Sequence, residues 1–171
     1  MKKLFTLLFL IILITAFSGC IDIELAKKLF YHKEEKKVSY KDVTKAEISH
    51  VFKYLYPIEN LYYTNQTSIL IKNDTKWLRV DFSIRMEKIP ENLSQYFPNI
   101  PERYVNITFK FPNGTIWWQE KYNYTITDSK KISEPLMGNW SISVEAIGIG
   151  VGFVQVYNDE LSIEVVAREK K

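Results

Sequence analysis

The sequence predicts an all-β fold, an antiparallel β-sandwich of Greek-key type. Three observations predict it. Short runs alternate apolar and polar residues with a period of two, and turn residues separate them. Pro112-Asn113-Gly114 lies between two such runs, and Asn-Gly in that setting is the strongest short-range hairpin signal. Aromatic residues make up 15% of the 171-residue chain, and together with β-branched residues they suit a pleated, half-buried surface.

Residues 1–19 stand outside that fold. Lys2 and Lys3 precede an apolar run from Leu4 to Phe17, broken by Thr6 and Thr15, and Ser18, Gly19 and Cys20 follow. A basic start, a short apolar stretch and a small-residue ending make the layout of a secretory signal. The run of about 14 residues is shorter than the about 20 that a spanning helix needs. An uncleaved signal anchor is the alternative. Ala16-Phe17-Ser18-Gly19-Cys20 resembles the lipobox of prokaryotic lipoproteins, with Phe17 where that motif usually carries Leu or another aliphatic residue. The resemblance implies cleavage before Cys20 and lipid on its thiol and new amino group. It places the rest of the chain at the cell membrane, facing away from the cytoplasm, and it names no activity.

Residues 20–45 are expected to hold the anchor site and a charged helical stalk. Ile21, Leu25 and Leu29 repeat every four residues, and Glu24 can pair with Lys28. His32-Lys33-Glu34-Glu35-Lys36-Lys37 has no core-facing residue. A helix from residue 21 to 37 would project about 25 Å. Docking of its apolar stripe on a partner at the membrane is the alternative.

Residues 46–171 are expected to form the sandwich, about one domain's worth of chain. Ala46 to Tyr56 is apolar on both parities, a doubly buried strand or a short helix, and Pro57 ends it. Ser68 to Lys72 is a β-branched run, and Asn73-Asp74 turns the chain. Leu78, Val80, Phe82, Ile84 and Met86 then line one side of a half-buried strand, with Trp77 on the polar side. Residues 87–103, with Pro90, Pro98 and Pro101, read as a long crossing loop. The hairpin follows: Val105, Ile107, Phe109 and Phe111 on one arm, and Ile116, Trp118, Glu120, Tyr122, Tyr124 and Ile126 on the other. Asp128 to Pro135 is a polar loop or a short edge strand. Gly138-Asn139 leads into Trp140, Ile142, Val144 and Ala146. Leu161, Ile163 and Val165 make the last strand, and residues 168–171 a polar tail. The stretch from Pro112 to Val166 resembles small accessory sandwich domains of secreted proteins, and that resemblance carries no activity with it.

Charge and cysteine content narrow the function. The net charge is +3, and it falls nearly to neutral once Lys2 and Lys3 leave with the signal. That argues against a nucleic-acid binder and against an electrostatic membrane patch. One cysteine permits no internal disulfide. Asn-X-Ser/Thr occurs at Asn65, Asn73, Asn92, Asn106, Asn113, Asn123 and Asn139, seven of the ten asparagines. Such triplets mark surface acceptors in secreted proteins, although Asn and Thr also favour turns without any glycan. None of the seven has an acidic residue two positions earlier, the usual bacterial requirement. Together with the lipobox this resembles archaeal usage.

Constellations for chemistry are sparse. The histidines are His32 and His50. With Cys20 committed to lipid, no usual zinc site can be written. No nucleophile-elbow motif accompanies His50, which reads as a surface or satisfied core histidine. Asp159-Glu160 reads as a turn. A paired-carboxylate site is spatial and invisible at this level. Gly148, Gly150 and Gly152 alternate with Ile149, Val151 and Phe153, without the Lys-Ser/Thr of a phosphate loop. They read as a strand that another backbone approaches closely. Trp117 and Trp118 are adjacent, so a regular strand points them to opposite faces. With Trp118 in the core, Trp117 would join Trp77 in an exposed aromatic platform. The expectation is a non-enzymatic, lipid-anchored interaction module of the cell envelope, with no cofactor, metal or catalytic residue. The alternative is a carbohydrate-binding module using Trp77 and Trp117.

Overall fold

The computed structural model describes residues 38–54, 58–88, 101–150 and 158–171. The signal, Cys20, most of the stalk, Asn92, Gly152 and the middle of the proline-rich loop lie outside them.

The described chain is all-β. Its strands are β1 (Tyr40–Val51), β2 (Tyr62–Ile71), β3 (Thr75–Arg85), β4 (Tyr104–Lys110), β5 (Ile116–Tyr122), β6 (Ile126–Ser133), β7 (Gly138–Ile147) and β8 (Glu160–Lys170), with a short 3-10 helix at Ile58–Leu61 before β2. They form two antiparallel four-stranded sheets, β1-β8-β3-β6 and β2-β7-β4-β5. β1 pairs with β8, β2 with β7, β3 with β6 and β4 with β5. That nesting is one long hairpin rolled onto itself, the strand order of a double-sheet jelly roll. Only β4 and β5, among consecutive strands, share a sheet.

Alternation builds the core. Leu78, Val80, Phe82 and Ile84 of β3, with Ile163 and Val165 of neighbouring β8, face Ile107 and Phe109 of β4 and Trp140, Ile142 and Val144 of β7 in one buried cluster. Trp140, Tyr122, Phe52 and Phe109 are its largest fully buried side chains. Burying such groups contributes about 1.5–3 kcal/mol each. Without a disulfide, this packing holds the sheets together.

The hairpin forms as expected. Gly114 adopts φ 83°, and its N–H donates to Phe111 O at 2.9 Å. Elsewhere the boundaries move. β1 begins at Tyr40, inside the stretch assigned to the stalk, and it is a strand rather than a helix. The run from Ile116 to Ile126 is two strands, because the chain leaves one sheet after Tyr122 and enters the other at Ile126. Residues 128–133 belong to edge strand β6. The polar tail is the end of β8, where Glu169 is buried in ion pairs with Lys45 and Lys72.

Gly148 and Gly150 follow β7 rather than lying within a strand. The close approach is real, however. A Cβ on Gly150 would sit 1.8 Å from the carbonyl oxygen of Phe52, and one on Gly148 would strike the Phe52 ring.

Candidate functional site

The outward side chains of the β1-β8-β3-β6 sheet fall into rows set by the register. At one end Asp42, Arg168, Trp77 and Ser133 stand side by side. Next come Thr44, Val166, Arg79 and Lys131, then Glu47, Glu164, Asp81 and Ser129. A row of hydroxyls follows: Ser49, Ser162, Ser83 and Thr127. The short side chains leave a hollow of about 430 Å³ lined by residues of β3, β6 and β8, among them Asp81, Ser83, Thr127 and Glu164.

Trp77 is half-buried at the basic end of this face. Lys131 Nζ lies 4.7 Å from its ring centroid, Arg79 Cζ 5.6 Å and Arg168 Cζ 6.0 Å. Each cation comes from a different strand, so the sheet register builds the cluster. Cations near an indole are attracted by its ring quadrupole. Arg79 Nε also donates to Asp81 Oδ2 at 2.8 Å, and Arg168 Nη1 donates to Asp42 Oδ1 at 3.4 Å. Both pairs are exposed, and surface ion pairs contribute about 0–1 kcal/mol.

Trp117 is elsewhere, which corrects the expected platform. Phe109 pairs with Trp118 and Lys110 with Ile116, so Trp117 is the extra residue of a β-bulge. A bulge sets two residues against one and re-aims a side chain. Both tryptophans turn toward the core. Trp117 packs edge-on against Phe109 and Trp140, with centroids 5.7 and 5.6 Å apart. Trp118 packs on Phe82 and Phe109. Trp77 and Trp117 belong to different sheets and share no surface.

His50 is stacked on Tyr63 at 4.1 Å and meets Phe52 edge-on. Burial, and then the Lys53 charge, hold its pKa below the ordinary histidine value. It lines a separate hollow of about 540 Å³ with Lys53, Tyr54, Glu59 and Tyr62. No group of three metal-ligating side chains occurs among the described residues.

Asp159 is the residue that sequence reasoning missed. It is 2% exposed. Its carboxylate accepts from the backbone N–H of Ile149 at 2.9 Å, from that of Glu87 at 3.0 Å, and from Arg103 Nη1 at 2.8 Å. Burial pushes its pKa up against these donors. Arg103 also donates to Glu87 O at 2.8 Å. The pair therefore joins both described ends of the proline-rich loop to the segment after β7. Only the proximity of Asp159 to the start of a strand was visible in sequence, and that reads equally well as a turn.

The described sequons lie on or beside the β2-β7-β4-β5 sheet. Asn106 and Asn139 point outward from β4 and β7, and Asn113 and Asn123 stand exposed at either end of β5. Asn73 is exposed in the β2–β3 turn, but the hydroxyl of its Thr75 is buried with no hydrogen bond among the described residues. Asn65 shares the inward parity of Ile69 and Ile71, and its Nδ2 donates to Tyr63 Oη at 3.1 Å.

No family model matches this chain, and no curated protein does. Among solved structures it is similar to TmCBM61, in complex with beta-1,4-galactotriose, at 13% identity over 80% of this chain and 85% of that one, with a TM-score of 0.38. It is also similar to the infectious bursal disease virus VP2 subviral particle protein, at 9% identity over 79% of this chain and 42% of that one, with a TM-score of 0.25.

Proposed function

We propose that this chain is a non-catalytic binding module that holds an acidic carbohydrate on the outer face of the β1-β8-β3-β6 sheet. The observation that carries the reading is Trp77 set among Arg79, Lys131 and Arg168 on a solvent-facing sheet. A sugar ring presents an apolar C–H face that stacks on an indole, and a uronate adds the carboxylate that guanidinium groups recognise. The hydroxyls of Ser83, Thr127 and Ser162 extend the same face and supply donors and acceptors for further sugar hydroxyls. The lipobox-like ending at Cys20 supports a lipid-anchored position outside the cytoplasm, where such polymers occur. The glycan partner and the membrane are the associations this reading requires, with no cofactor.

Calorimetric titration with polygalacturonate and with a neutral dextran tests it. Binding to the acidic polymer is expected, weakening with added salt because the contacts are exposed. Trp77→Ala is expected to weaken binding about tenfold, equivalent to about 1.4 kcal/mol. Equal binding of the two polymers, or an unaffected Trp77→Ala, would overturn the proposal.

A further inference from the structure

The sheet opposite the Trp77 face carries a different chemistry. Its outward rows hold Thr64, Glu145, Asn106 and Lys121, then Gln66, Ser143, Thr108 and Gln119, then Ser68, Ser141, Lys110 and Ile116. Leu70 and Asn139 complete them at one end. The outward rows of the Trp77 face contain no asparagine among the described residues.

Large apolar side chains are exposed beside the sequons. Leu70 is 58% exposed and pairs directly with Asn139. Met137, 63% exposed, precedes Asn139 by two residues. Ile116 follows the Asn113 triplet, and Tyr124 lies inside the Asn123 triplet, each about half exposed. The turns around Pro112 and Gly138 touch, since a Cβ on Gly138 would meet Pro112 at 2.9 Å. The Asn113 and Asn139 regions therefore crowd the same end of the sandwich. Large exposed apolar patches mark surfaces where another group docks.

The Asn113 geometry is already suited to modification. Its Oδ1 accepts from Thr115 N at 3.0 Å and from Thr115 Oγ1 at 2.7 Å. A backbone N–H can only donate, so the atom facing it is the oxygen and Nδ2 is turned to solvent. Asn65 is the opposite case, with its nitrogen spent on Tyr63.

We infer that Asn113, Asn123 and Asn139 carry N-linked glycans, which cover Leu70, Ile116, Tyr124 and Met137 and leave the Trp77 face bare. The sugar donor is a polyprenyl-phosphate-linked oligosaccharide. The asparagine Nδ2 forms a bond to the anomeric carbon of the donor. The anomeric C–O bond breaks, the polyprenyl phosphate leaves with its electron pair, and the amide nitrogen gives up one proton to solvent base. No oxidation or reduction is involved.

Glycopeptide mass spectrometry of the full chain, purified from membranes of the cells that make it, tests the inference. Sugar mass is expected on the peptides bearing Asn113, Asn123 and Asn139 and absent from the peptide bearing Asn65. Unmodified asparagine at those three positions overturns it. Covering is tested separately with Asn139→Gln made in the same cells. Binding of a hydrophobic dye is expected to rise severalfold while polygalacturonate binding is unchanged. Unchanged dye binding rejects the covering role. Glycosylation without polygalacturonate binding would instead reject the ligand reading alone.

Discussion

Trp77 and Trp117 show how much depends on single side chains. Both are tryptophans near strand starts, and a strict period of two treats them alike. Trp77 lies beside cations on an outer face, whereas Trp117 wedges between Phe109 and Trp140. Their substitutions are expected to separate. Trp117→Ala removes ring contacts from the core and is expected to cost about 2–4 kcal/mol in urea unfolding. Trp77→Ala, at the surface, is expected to change stability by about 0.5 kcal/mol or less. Reversed magnitudes would place the wrong tryptophan in the core. The sequence could not distinguish them, because a bulge shifts the register by one residue without leaving a compositional mark.

At the scale of elements, Asp159 and Arg103 set the ends of connections rather than of strands. The carboxylate is buried and accepts from Ile149, Glu87 and Arg103 at once. Removing a charge from such a pair leaves the other charge uncompensated. Asp159→Asn is expected to cost about 3 kcal/mol, with hydrogen exchange rising first at Ile149 and Glu87. A uniform rise across the sheets would argue against a local brace. The same scale explains the glycines. Gly150 is small because the Phe52 carbonyl passes where a side chain would go. The alternation of glycines signalled a close approach, but not which backbone makes it.

At the scale of the whole molecule, β8 lies between β1 and β3 and joins the last residues of the chain to the first of the described domain. Its Glu169 faces inward, paired with Lys45 of β1 and with Lys72 after β2. Burial alone would raise the Glu169 pKa. The hydrogen bonds and charges of Lys45 and Lys72 outweigh it, and the net shift is downward. A depressed folded-state pKa contributes stability above the unfolded value, and that contribution is lost as pH falls through the folded one. Stability is therefore expected to drop as pH falls below about 4, through the ordinary glutamate range. Glu169→Gln is expected to flatten that part of the profile in denaturant titrations. An unchanged slope in the variant would remove Glu169 as its source.

The strands of the core were legible before the structure because side-chain direction alternates with a fixed local period. Leu78 to Ile84 and Val105 to Phe109 needed only their own sequence to declare an inward face, and Asn113-Gly114 needed only its turn chemistry. The tertiary structure decided the rest. Arg168 to Lys170 look like a solvated tail until β1 and β3 flank them. Lys131, Arg79 and Arg168 are far apart in the chain until the register sets them around Trp77. Period and turn chemistry act over a few residues, whereas pairing partner, bulge and burial of charge depend on segments brought together from opposite ends of the domain.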